Sequence, residues 1–170
     1  MHNSVARPTG DPSGVGERDD GAAEAGAAGA IWVVDDSEAI RVLAKSAFER
    51  AGWRVTAFED LAGARDALAA GPAPDAVLLD IHLPDGNGLH DIGAFAATGA
   101  AVVVVSNVAG PDQVEAAFAA GAGDVVPKPF DLRSLLARVE RAARAARAVR
   151  PVAPAAEARA AAGVGGAELG

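Results

Sequence analysis

A chain of 170 residues is long enough for one domain and short for two. Apolar residues make up 51% of it and aromatic rings only 4%, so a core must be built from Val, Leu, Ile and Ala. A net charge of −8 argues against a nucleic-acid surface, and the absence of cysteine excludes disulfides and thiolate metal sites.

Residues 1–29 are rich in Gly, Ala, Pro, Asp and Ser and carry almost no large apolar side chains, which predicts a disordered tail. They lack a basic start followed by an apolar run, so they do not read as a signal peptide. No stretch approaches the roughly 20 continuous apolar residues of a membrane span, and the expectation is a cytoplasmic protein with no membrane partner. Ala30–Val34 predicts a short buried strand running into two aspartates. Ser37–Ala51 places Ile40, Leu43, Ala47 and Ala51 at helical spacing, with Gly52 closing the helix. Trp53–Phe58 is the second strand and Asp60–Ala70 the second helix, stopped by Gly71-Pro72. Ala76–Leu79 is a third strand, ending at Asp80.

Asn87–Ala97 reads as a poor helix, interrupted by Gly88 and Gly93 and weakly anchored. Ala101–Val105 is the most β-branched strand and is expected at the centre of the sheet. Pro111–Ala120 is a helix with proline at its start, where a missing N–H costs little. Asp124–Val126 is the last strand and Asp131–Val149 a long closing helix. Pro151, Pro154 and the glycines at 163, 165 and 166 predict a second disordered tail over 151–170. The folded domain is then 30–150, an α/β unit of five parallel strands with helices on both faces.

In such sheets ligands bind beyond the carboxyl ends of the strands. The first strand ends in Asp35-Asp36, the third in Asp80, the fourth in Ser106 and the fifth in Lys128. Three carboxylates at close range repel one another unless a cation joins them, and Mg²⁺ suits hard oxygen ligands of this kind. A carboxylate nucleophile, a metal, an ammonium and a hydroxyl together suit a phosphoryl group.

The set resembles the receiver domain of two-component response regulators. The matching pieces are Val33-Val34-Asp35-Asp36-Ser37, Leu79-Asp80-Ile81-His82-Leu83-Pro84-Asp85-Gly86-Asn87-Gly88-Leu89, Val105-Ser106-Asn107, and Gly121-Ala122-Gly123-Asp124 running into Pro127-Lys128-Pro129-Phe130. They cover the whole folded part. The resemblance implies a three-layer, flavodoxin-like (βα)5 doubly wound sheet. It implies Asp80 as phosphoacceptor, with Mg²⁺ held by Asp36, Asp80 and the backbone carbonyl of His82, and by Asp35 through a water. Lys128 would pair with Asp80 and then with the phosphoryl group. Ser106 would bond a phosphoryl oxygen, and Lys128–Pro129 would be a cis peptide. The implied partner is a sensor histidine kinase or phosphotransfer protein. The protein would be a signalling switch, not an enzyme, that catalyses only its own phosphorylation and dephosphorylation and acts through protein contacts.

Receivers usually carry Tyr or Phe three residues before the lysine, where this chain has Val125. Either Ser106 and its loop carry the switch without that ring, or the switch is weak. The side chain of His82, two residues beyond the acceptor, would either modulate hydrolysis of the acyl phosphate or be an ordinary solvated loop residue. Arg133, Arg138, Arg141, Arg144, Arg147 and Arg150 on the last helix read as a solvated or partner-docking face, since no aromatics are interleaved. No effector pattern is read after Arg150, so a single-domain receiver, a phosphorelay intermediate or a phosphate sink is expected. A phosphorylation-independent binding module is the alternative. A phosphatase with Asp-x-Asp is disfavoured because position 82 is histidine, and a dinucleotide site because no Gly-x-Gly-x-x-Gly follows the first strand.

Overall fold

The computed structural model of the protein describes residues 28–107 and 110–149. The two expected tails therefore lie outside the described residues, apart from Ala28 and Gly29, and so does Arg150. In chain order the elements are β1 (Gly29–Val34), α1 (Glu38–Arg50), β2 (Trp53–Phe58), α2 (Leu61–Ala70), β3 (Ala76–Asp80), β4 (His82–Leu83) and β5 (Gly86–Asn87). A 3-10 turn (Gly88–His90) leads to α3 (Ile92–Ala97), β6 (Ala101–Ser106), α4 (Pro111–Ala119), β7 (Asp124–Pro127) and α5 (Leu132–Val149).

Five strands form one parallel sheet in the order β2-β1-β3-β6-β7. The chain starts near the middle, winds outward to β2, then crosses β1 to build the other half. This is the doubly wound plan expected. The middle place belongs to β3, however, and not to the valine-rich β6, which lies one strand further out. Both strands are buried along their whole length, so β-branched composition reported burial on both faces and not rank within the sheet.

Side-chain alternation along each strand divides the core into two layers. Ile31, Val33, Leu78, Val103 and Val105 pack on one face with Phe48 of α1 and Leu135 and Val139 of α5. Trp32, Val34, Val77, Leu79, Val102 and Val104 pack on the other with Leu61 of α2, Ile92 and Phe95 of α3 and Ala117 of α4. The few rings meet one another between neighbouring strands and between helix and sheet. Trp32 meets Phe58 and Phe95 edge-on with centroids 5.1 and 6.3 Å apart, and Phe48 meets Trp53 at 6.3 Å.

The segment after Asp80 corrects the expected helix over Asn87–Ala97. Residues 82–87 form a small antiparallel hairpin, and α-helix begins only at Ile92. The segment is also firmly tied. Ile92 and Phe95 are buried, and the guanidinium of Arg65 in α2 donates two hydrogen bonds to the carboxylate of Asp91, at 2.7 and 2.8 Å. Gly88 is a close-approach residue, since a Cβ there would lie 2.4 Å from the carbonyl oxygen of Asp80.

Candidate functional site

The carboxyl ends of β1, β3, β6 and β7 bring Asp35, Asp80, Ser106 and Lys128 to one edge of the sheet. Register decides this: Val34 pairs with Leu79, Asp80 with Val105, and Ser106 with Pro127. Asp35 and Asp80 are nearly inaccessible, at 1% and 3% exposure, and Ser106 is fully buried. Asp36, one residue past the strand, is exposed.

Lys128 Nζ bridges the two buried acids, donating to Asp35 Oδ2 at 2.7 Å and to Asp80 Oδ2 at 2.6 Å. Burial alone would favour the neutral amine. Hydrogen bonds to Asp35 and Asp80, and the negative charge of both, outweigh it and hold the Lys128 amine above its ordinary value. The backbone N–H of Lys128 donates to the carbonyl of Ser106 at 2.8 Å, and the Lys128–Pro129 peptide is cis. The other oxygen of each buried acid accepts from the chain two residues on: Ser37 N donates to Asp35 Oδ1 and His82 N to Asp80 Oδ1, both at 2.9 Å. Backbone donors and one ammonium thus orient both carboxylates.

One oxygen each of Asp35, Asp36 and Asp80 lie within 4.8 Å of one another. Asp36 leaves this cluster open to solvent on one side. The donor set is all carboxylate, hard and anionic, with only one ammonium inside it, and it fits a small dication such as Mg²⁺. His82 is exposed on β4, where it pairs with Asn87, and its backbone N–H donates to Asp80. Val125 is half-buried, on the face of the sheet that carries Leu79 and Val104. Its carbonyl accepts from Arg138 Nη1 at 3.1 Å.

Three residues around the site carried no assigned role in the sequence reading. Arg41 of α1 donates from Nη1 to the carbonyls of Asp35 and Asp36, at 2.7 and 2.9 Å. Asp85, in the β4–β5 turn, accepts from Leu61 N at 3.1 Å and Ala62 N at 2.8 Å, which ties that turn to the start of α2. Those N–H bonds, led by Leu61's, pull the Asp85 carboxyl below its ordinary value. Gly88 lets the chain cross against the carbonyl of Asp80. The signal for Arg41 is a cation one turn into a helix, where the dipole disfavours it, whereas Asp85 and Gly88 stand in the matching stretch after Asp80 with nothing local to show what they touch. The arginines of α5 are partly structural: Arg141 and Arg138 pair with the buried Asp124 at 2.8 and 3.4 Å, and Arg147 lies over Trp53.

Comparison with known proteins covers the same region. The family described as Response regulator receiver domain matches residues 31–140. The DNA-binding transcriptional regulator NtrC of Escherichia coli is 36% identical over 115 residues, which is 66% of this chain and 24% of that protein. The KDP operon transcriptional regulatory protein KdpE of Escherichia coli is 37% identical over 111 residues, 64% of this chain and 48% of that protein. The chain thus spans about a quarter to a half of the length of these relatives. Among solved structures, the BeF3-activated DrrB receiver domain is 32% identical with a TM-score of 0.61, covering 68% of this chain and 97% of that one. A CheY-like receiver protein from Methanospirillum hungatei is similar in fold, with a TM-score of 0.66 at 23% identity, covering 70% and 96% of the two chains.

Proposed function

The chain belongs to the response regulator receiver domain family, and from that premise we propose that it is a phosphorylation switch whose acceptor is Asp80. The observation that carries the reading is the joining of Asp80 and Asp35 through Lys128 beside the exposed Asp36. A sensor histidine kinase or phosphotransfer protein would be the donor. A carboxylate oxygen of Asp80 forms a bond to phosphorus while the N–P bond of the donor phosphohistidine breaks and its imidazole leaves. Lys128, already within hydrogen-bond distance of Asp80, stays beside the new acyl phosphate and offsets its charge. Ser106 offers a hydroxyl for a phosphoryl oxygen, and its loop is the part that would move.

Asp36, Asp80 and the carbonyl of His82 would hold Mg²⁺, with Asp35 engaged through a water. When bound, the ion supplies positive charge to the transferring group. His82, exposed two residues beyond the acceptor, would tune the lifetime of the phosphorylated form. Lys128 also lines a groove with Ile40, Leu43, Asn107 and Phe130, which offers an apolar seat for the donor beside the acceptor. Acyl-phosphate hydrolysis resets the switch, so the protein turns over no substrate but its own phosphoryl group. A relative at 32% identity is a BeF3-activated receiver domain, which supports an activatable switch in this fold.

The domain would comprise 30–150, with residues 1–29 and 151–170 as tails and a cytoplasmic location. Among the described residues no helix is long and apolar enough to cross a membrane.

The test is labelling by acetyl phosphate, read as the intact mass of the chain. A single phosphoryl adduct is expected with Mg²⁺, and none after chelation or in Asp80→Asn. An unlabelled wild type would instead favour a phosphorylation-independent binding module, the reading to which Val125 lends its weight.

A further inference from the structure

We infer that Arg41 is a positioning residue of the cation site, setting the place of the Asp36 carboxylate through the backbone; this rests on the Mg²⁺ site proposed above. The three acids are held unevenly. Asp35 is fixed by Lys128 and by Ser37 N, and Asp80 by Lys128 and by His82 N. Asp36 is exposed, and among the described residues its carboxylate has no hydrogen-bond or ion-pair partner. Yet its oxygen must come within reach of the other two for the three to hold one ion. What restrains Asp36 is its main chain, whose carbonyl accepts from Arg41.

Helix geometry explains how Arg41 reaches it. Ser37 caps α1, and Arg41 N donates to Ser37 O at 3.0 Å, so Arg41 closes the first turn. Side chains in a helix lean toward its N-terminus. A long one from this position folds back over the turn to the chain that enters it. There Nη1 donates to two successive carbonyls, 2.7 Å from Asp35 O and 2.9 Å from Asp36 O. The side chain is only 18% exposed, and Nη2 lies 3.9 Å from the exposed carboxylate of Glu59, a weak contact. A guanidinium bound to both carbonyls ties the peptide that links the two acids. It does so against the helix dipole, which disfavours a cation in the first turn.

Two effects of Arg41 on a bound dication oppose each other. Its charge repels the ion, so removing it would tighten binding. Its hydrogen bonds hold Asp36 in place, so removing them would loosen binding. Groups that orient ligands from outside the metal's own shell typically carry about 10–100-fold in affinity. The repulsion is softened because the guanidinium is already engaged by the two carbonyl oxygens and, weakly, by the Glu59 carboxylate. The positioning effect therefore wins, and the sign of the change tells the two apart.

The experiment is titration calorimetry of Mg²⁺ into the full chain, together with thermal unfolding in Mg²⁺-free buffer. Arg41→Met is expected to weaken Mg²⁺ binding about tenfold while still unfolding cooperatively. Arg41→Lys, which keeps charge but not the fork, is expected to fall between Arg41→Met and the wild type. Unchanged or tighter binding by Arg41→Met overturns the role. If Arg41→Met fails to fold, Arg41→Lys decides, and affinity equal to wild type overturns it. A wild type that binds no Mg²⁺ overturns both this role and the site itself, whereas wild-type binding that is lost in Asp36→Asn and kept in Arg41→Met overturns this role alone.

Discussion

At the scale of single residues, the site is a set of like charges that the fold holds together at some cost. Asp35, Asp36 and Asp80 repel one another, and Lys128 answers only two of them. A bound dication is therefore expected to stabilise the fold by linkage. With Mg²⁺ at about a hundred times its Kd, urea unfolding should report a gain of about 2.7 kcal/mol. In Asp36→Asn that gain should vanish, while stability in Mg²⁺-free buffer should rise because one repelling charge is gone. Gly88 shows a different constraint, one of space. A Cβ there would meet the carbonyl of Asp80, so Gly88→Ala must shift the backbone of Asp80 or of the following loop. The substitution should cost about 2 kcal/mol in unfolding free energy and slow acetyl-phosphate labelling, where a distant surface glycine would do neither.

At the scale of elements, the loop after Asp80 is held from outside by α2. Asp85 accepts from the first two backbone N–H groups of that helix, a use of the helix terminus by a residue far along the chain. Arg65 grips Asp91 from the next turn of the same helix. Because the Asp85 carboxyl is lower in the fold than in the open chain, its contribution is complete above the ordinary aspartate range. It is lost as pH falls through the lowered value. The difference in stability between wild type and Asp85→Ala should therefore be constant near neutrality and shrink toward zero in acid, as read from urea unfolding at a series of pH values. A difference that stayed constant into strong acid would mean that Asp85 acts by packing and not by charge. The same two ties explain why the glycine-broken stretch after Asn87 is anchored despite its poor helix propensity. Tertiary contacts from Arg65, Ile92 and Phe95 replace what local preference lacks.

At the scale of the whole molecule, two apolar layers close on one sheet using described residues alone. A chain cut to residues 28–149 is accordingly expected to unfold in one cooperative transition, with the same Mg²⁺-dependent shift as the full protein. Loss of cooperativity on cutting would show that the ends contribute to the core. Val125 packs on the α4 side of the sheet beside Val104, and its carbonyl is bound by Arg138, which also reaches Asp124. On the strand where the family usually offers a ring, charge and backbone bonds to α5 are thus added to the apolar packing of Val126 against Leu135 and Val139.

The order of the five main strands and their helices, the parallel sheet and the strand-end residues were legible in the sequence, because burial on both faces writes continuous apolar runs and the chain turns polar where each strand stops. It could not rank β3 and β6 within the sheet, since both are equally buried and composition reports burial alone. Nor could it show the hairpin at 82–87 or the late start of α3: both depend on partners in α2, far from them in sequence. The roles of Arg41, Asp85 and Gly88 were decided by tertiary structure for the same reason. Each acts on a backbone group, and backbone groups are alike in every residue until the fold sets them side by side.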